Sequence, residues 1–338
     1  MRTTWLAFQI PIALGHGLVA IAICSVLSLG AYAQSTPENV ASTTPAPVQE
    51  SFATPQWAAD ALVRAVADYN VPELLKIFGP DGKDFVSSAD PVRDKAYAEA
   101  FARKAQEKTA VDIDPKNGAR AILIVGNDGW PFPVPIVRRG RKWIFDSKEG
   151  HNEILFRRIG ANELDAIRIC RGFVEAQKEY ASQIRDDSGV NQYAQKLIST
   201  PGRHDGLYWQ NADGTPGGPI SEAIAHAIEE GYSPNQPSGY HGYYFKVLKG
   251  QGPAARLGQL DYVINGIMIG GFALVAVPAE YRVTGVKTFM VSYDGIVYEK
   301  DLGPTSIDVV KQMDRYNPDK SWAVTNDESD SDDPTAGS

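Results

Sequence analysis

The side chains best suited to acid–base or metal chemistry in this sequence are its five histidines, His16, His151, His204, His226 and His241. Zinc-binding histidines commonly come as local pairs such as H-x-x-x-H, a spacing that turns both rings to one helix face. No such pair occurs, so no metal site is expected. The strongest constellation sets His204 and Asp205, adjacent in "GRHDGLYW", with His241 in "PSGYHGYYFKVLKG". An imidazole beside a carboxylate is the arrangement of a general base and its orienting partner, and these three residues are the catalytic candidates for a hydrolase. They also have a plainer use. Pro201, Gly202 and Gly206 form a tight loop whose His and Asp can bond the backbone, and His241 stands at the entrance of an alternating strand.

Other chemistries are less complete. The G-x-S-x-G elbow of α/β-hydrolases is absent. Glu175 and Glu179 lie four apart in "FVEAQKEYA" beside Lys178, the pattern of a solvated helix face. The glycine-rich "NADGTPGGP" lacks the Lys-Ser/Thr ending of a phosphate loop, and "INGIMIGG" lacks the helix a dinucleotide fingerprint needs. No cofactor is expected. Cys170 falls into helical spacing with Leu164, Ile167 and Phe173 and reads as a packed thiol. Tyr208, Trp209, Tyr232, Tyr240, Tyr243 and Tyr244 gather in a segment rich in Gly and Pro, the composition of a rigid recognition surface. Tyr208, Trp209, Tyr240 and Tyr243 are the candidate binding residues.

These residues need elements to hold them, and the pattern predicts an α+β chain. "TPQWAADALVRAVADYN" opens with Thr54 as cap and Pro55 at the first helical position. A shorter helix in "NVPELLKIFGPDG" ends at Gly79-Pro80, and a third opens at Asp90-Pro91. After Lys108 the period changes to two, with Asn117-Gly118 turning one hairpin and Gly140 another. Two helices follow, divided by Gly160 as a C-cap. A compact helix "ISEAIAHAIEEG" and a β-rich remainder, with a hairpin at Asp294-Gly295, complete the chain. The expected division is 1–33 leader, 34–51 disordered linker, 52–146 α+β module, 147–186 linking helices, 187–325 β-rich module and 326–338 disordered acidic tail.

The leader is read from Arg2, an apolar run over 18–29, and small residues Ala31 and Ala33 before Gln34. This is the form of a cleavable signal peptide, and the run is too short for an anchor, which needs about 20 apolar residues. A periplasmic protein with no stable membrane anchor after cleavage is expected. It would keep Cys170 as its one cysteine and form no internal disulfide. The net charge of −8, with acidic residues massed in "NDESDSDDPTAGS", argues against nucleic acid, whose phosphates need clustered Lys and Arg. The partners expected are an envelope protein, a peptide or a glycan, in a non-catalytic binding or assembly role.

Three helices followed by an antiparallel meander resemble the cone-shaped fold of the nuclear transport factor two-like group. More specifically, "WPFPVPIVRRGRKWIFD", "RRIGANELDAI", "LISTPGRHDGLYW", "YHGYYFKVLKGQGPAA", "GGFALVAVPAEY" and "YEKDLGP" together are similar to an exported bacterial family catalogued as domain of unknown function 2950. The resemblance implies a signal-bearing envelope protein of Gram-negative bacteria, and it assigns no catalytic residue. Locally, "GYYFKVLKG" with "GGFALVAVPAEYRVTGVKTFMVSYDGIVY" also resembles the C-terminal β-meander of type IV pilin-like proteins, which implies an antiparallel sheet.

Overall fold

The computed structural model describes residues 49–86, 91–184, 189–220 and 239–326. The leader, most of the linker, the tail from 327, Asp90, Tyr232 and the expected helix around His226 lie outside the described residues. The fold is α+β and divides into two compact units, the first ending at Ile154 and the second beginning at Leu155.

In the first unit, α1 (Pro55–Ala67) starts where the sequence places it, because the Thr54 side chain accepts a hydrogen bond from the Trp57 amide at 3.1 Å. The buried face is Ala58, Ala59, Leu62 and Ala65; Trp57 points to solvent. Next, α2 (Val71–Phe78) buries Leu74, Ile77 and Phe78 and stops at Gly79, whose φ of 70° favours glycine, with Pro80 beyond. A short α3 (Lys83–Val86) and the longer α4 (Pro91–Glu107) follow. The strands β1 (Thr109–Ile113), β2 (Arg120–Val125), β3 (Trp130–Pro131), β4 (Ile136–Arg139) and β5 (Lys142–Phe145) form an antiparallel sheet in the order β1-β2-β4-β5, with β3 on β2. On β2 the alternation turns Ala121, Leu123 and Val125 inward. The β1–β2 connection spans 114–119, longer than a two-residue turn at Asn117-Gly118, and is closed by bonds from the Asp114 amide to Arg120 O and from the Arg120 amide to Asn117 O.

Two expectations are corrected in this region. Composition extends the linker to Ser51, yet the Gln49 amide group donates to Ile77 O at 3.0 Å and Phe145 O at 2.7 Å. Phe52 then pairs with Trp143 through reciprocal backbone bonds of 2.8 Å. Gln49 and Phe52 are therefore tied to the first unit, the former by a polar side chain that satisfies carbonyls at element ends. The two linking helices are one, α5 (Ser147–Ala181). Gly160 does not adopt the left-handed conformation that ends a helix. Just beyond it, the Asn162 side chain donates to Thr284 O, and Glu163 accepts from the amides of Val286 and Lys287, anchoring the helix where it was expected to break.

The second unit is built on a five-stranded antiparallel sheet. Before it come β6 (Lys196–Ile198), β7 (Gly206–Gln210) and β8 (Pro216–Gly217), with β6 and β7 parallel. The sheet strands are β9 (Tyr243–Leu248), β14 (Ala273–Pro278), β15 (Thr288–Ser292), β16 (Val297–Lys300) and β18 (Ala323–Val324), in the order β18-β16-β15-β14-β9. Smaller pairings involve β10 (Gly250–Gln251), β11 (Leu260–Asp261), β12 (Val263–Ile264), β13 (Ile267–Met268) and β17 (Arg315–Tyr316). Every residue of β14 and β15 is buried, so both faces of the sheet are covered there. From α5, Cys170, Phe173 and Val174 enter this core, with Phe173 edge-on to Phe272 at 5.7 Å. A short α6 (Ser306–Gln312) packs on β14.

Candidate functional site

Along α5 of the second unit, Asp165, Arg168, Ile169, Gly172 and Phe173 recur at helical spacing and form one stripe. This stripe is a wall of a groove of about 400 Å³. Leu197 of β6, Leu207 of β7, Pro219, Ile220 and the turn bearing Tyr240 and His241 supply the rest. The lining is graded: Asp165, Arg168, Tyr240 and His241 are polar, and the remainder is apolar. Gly172 is the gap in the wall, for a Cβ added there would meet nothing within 4 Å. Neither close packing nor a positive φ requires glycine at this point of the helix, where it is unfavourable relative to Ala by about 1 kcal/mol.

His241 is positioned by its own turn. Tyr240 and Tyr243 exchange backbone hydrogen bonds of 2.9 and 3.0 Å, and φ is 47° at His241 and 74° at Gly242. This is a tight two-residue hairpin turn with both central residues left-handed. A Cβ on Gly242 would approach Asn162 Nδ2 to 2.5 Å, so the close passage against α5 confines this position to glycine. Few residues other than glycine adopt a positive φ, and the partner that holds His241 there is Asp165. His241 Nδ1 lies 2.7 Å from Asp165 Oδ2, while Asp165 Oδ1 lies 2.6 Å from Arg168 Nη2. With Nδ1 donating to the carboxylate, Nε2 is the ring nitrogen left for a ligand. The Tyr240 ring stands edge-on to the imidazole at 4.3 Å.

The three catalytic candidates are each paired elsewhere. His204 stacks on Trp209 with centroids 4.5 Å apart, and its carbonyl accepts from the Tyr180 hydroxyl. Asp205 accepts from Lys196 Nζ at 2.9 Å and from the Thr200 amide and hydroxyl at 2.7 and 2.8 Å. Burial would raise the Asp205 carboxyl, but these bonds outweigh it and hold the group below the usual carboxylate range. The carboxylate that meets His241 is Asp165, which the sequence reading did not single out. Its only local signal is the Asp165–Arg168 spacing of one helical turn.

Of the binding candidates, Tyr240 alone lines the groove. Tyr208 and Trp209 sit on the buried strand β7, where Trp209 donates to Asn211 Oδ1 at 3.1 Å and packs against Gly217. Tyr243 is fully buried, donates to Lys287 O at 2.8 Å, and has its phenol pushed upward by burial. These three rings are core, because β7 and β9 are covered on the faces that carry them.

Among the described residues no Ser, Thr or Cys lines the groove. Cys170, on the same helix, is inaccessible, and burial pushes its thiol up to about 12. The pair Asp165–His241 thus has the geometry of an oriented base, with no side-chain nucleophile beside it among the described residues. No three His, Cys, Asp or Glu side chains converge as a metal site among the described residues. The first unit holds an apolar cavity bordered by Leu62, Phe78, Phe101 and Phe132, but at about 70 Å³ it falls well below the roughly 300–1,000 Å³ of ligand pockets. A polar hollow beside His151 is open, and His151 Nε2 is occupied at 2.7 Å by Asp81 O.

A family model described as a protein of unknown function (DUF2950) matches residues 49–325. No curated protein and no solved structure gives a match.

Proposed function

The chain belongs to the DUF2950 family over residues 49–325, and from that premise we propose that it is a periplasmic envelope protein with a binding role, exercised through the α5 groove of its second unit. Export rests on the leader pattern of residues 1–33. No helix of the described residues is long and apolar enough to cross a membrane. The observation that carries the binding role is the groove itself: about 400 Å³, mostly apolar, with four polar side chains converging at one part of it and a glycine keeping the helix wall bare.

Gly172→Trp tests this directly. Because the position opens onto the groove, the large ring should fill the ligand's place while the fold is kept. A small-molecule and lipid extract of the envelope should raise the thermal midpoint of the wild-type protein, since a ligand that binds only the folded state stabilises it. It should leave the variant unmoved. An equal response from both proteins, or none from either, would remove the groove as the binding site. A variant markedly less stable than wild type would mean that the chain itself fills the groove, and the reading would fall.

One observation favours a second reading. The Asp165–His241 pair has the geometry of an oriented general base, and with water as nucleophile it could serve a hydrolase of an envelope polymer. That reading requires soluble fragments to be released from purified peptidoglycan by the wild-type protein and not by His241→Ala.

A further inference from the structure

Resting on the groove reading, we infer that the ligand is an acyl amphiphile with an anionic head, a carboxylate or a phosphate, whose head meets Arg168, His241 and Tyr240 while its chain lies along Ile169, Gly172 and Phe173.

The head follows from donor and acceptor accounting. Asp165, the one acidic side chain of the groove among the described residues, has both oxygens engaged, Oδ1 by Arg168 at 2.6 Å and Oδ2 by His241 at 2.7 Å. Arg168 uses Nη2 on Asp165 and Nε on Leu164 O at 3.4 Å, which leaves Nη1 with both its protons. His241, its Nδ1 engaged by Asp165, presents Nε2 as its remaining ring nitrogen, and Tyr240 adds a phenol. Donors therefore exceed acceptors at this end, and a carboxylate or phosphate supplies the acceptors that match them.

The body follows from the rest of the lining. Ile169, Phe173, Leu197, Leu207 and Ile220 present no polar side-chain atom. A peptide laid there would bury amides without partners, and a glycan would bury hydroxyls, each an unfavourable loss of hydration. A hydrocarbon chain has no such cost. From Asp165 to Phe173 the helix advances about 12 Å, the reach of a medium-length acyl chain. Gly172 lies in this stretch, where the missing side chain lets a chain rest against the helix backbone.

The test is calorimetric titration of the full-length mature protein with four probes that share a tail and differ in head: decanoate, decyl phosphate, decanol and decyltrimethylammonium. An anionic head should bind roughly tenfold or more tighter than decanol, the gain expected of a charge-assisted pair, and the cation should bind more weakly still. Decanoate against decyl phosphate separates a free carboxylate from a phospholipid-type head. Arg168→Gln should erase the preference while leaving decanol affinity unchanged, and Gly172→Trp should abolish binding of every probe. Equal affinities for all heads, or a preference that survives Arg168→Gln, would overturn the anionic head and leave the groove standing. Binding that persists in Gly172→Trp would place the amphiphile elsewhere. If the envelope extract stabilises the wild-type protein and none of the probes binds, the acyl class is wrong and the groove reading is untouched.

Discussion

At the scale of single residues, the candidate ionisable side chains are defined by their partners more than by their type. Asp205 closes the loop from Thr200 by accepting two bonds from that residue and one from Lys196, and its carboxyl is held low. A carboxyl whose folded value lies below the unfolded value, about 3.9, adds stability above that value and loses it as the pH falls through the folded one. Asp205→Asn should therefore be less stable than wild type at neutral pH. The gap should narrow as the pH falls below about 4 and vanish under more acid conditions; denaturant titrations across that range would measure it. A gap that stays constant with pH would show that the charge of Asp205 contributes nothing.

At the scale of elements, α5 carries three glycines that do different things. Gly150 lets the helix pass against Val134, since a Cβ there would come within 2.7 Å of the valine side chain, whereas Gly160 and Gly172 face open space. Gly160→Ala and Gly172→Ala should each raise stability by about 0.5–1 kcal/mol, the ordinary gain from replacing glycine inside a helix. Gly150→Ala should lower it, because overpacking a tight contact costs about 1–3 kcal/mol. Chemical denaturation of the three variants would order them. If Gly172→Ala destabilised the protein while Gly160→Ala did not, the groove would have no room for a ligand. The hairpin turn at His241 belongs to the same scale, for its left-handed backbone and the close approach of Gly242 to Asn162 are what bring an imidazole to α5.

At the scale of the whole molecule, Gln49 ties the N-terminal end of the described residues to the folded body. Residues 34–48 and 327–338 are rich in small and polar types, so removing both should change stability by less than about 0.5 kcal/mol. Extending the N-terminal deletion through Gln49 should cost about 1–2 kcal/mol, because two carbonyls, of Ile77 and Phe145, lose their donor. Thermal melts of the paired truncations would separate the two outcomes. Equal stability would mean that water replaces Gln49 at no cost.

The sequence by itself determined what local rules control. Thr54 and Pro55 start α1, Gly79 and Pro80 end α2, and Gly140 and Gly295 turn their hairpins, because capping and left-handed backbone depend on a few neighbouring residues. The family, too, was legible from its long motifs. Tertiary structure decided the rest. Gly160 has the local form of a stop, and only contacts made by Asn162 and Glu163 with a distant loop show why the helix continues. Tyr208, Trp209 and Tyr243 share their type and neighbourhood with Tyr240, yet burial separates them, because what covers a strand face comes from elsewhere in the chain. His241 was visible as a candidate. Its carboxylate was not, since Asp165 lies far away in sequence and meets the ring only because α5 and the turn at Gly242 pack closely enough for a 2.7 Å contact.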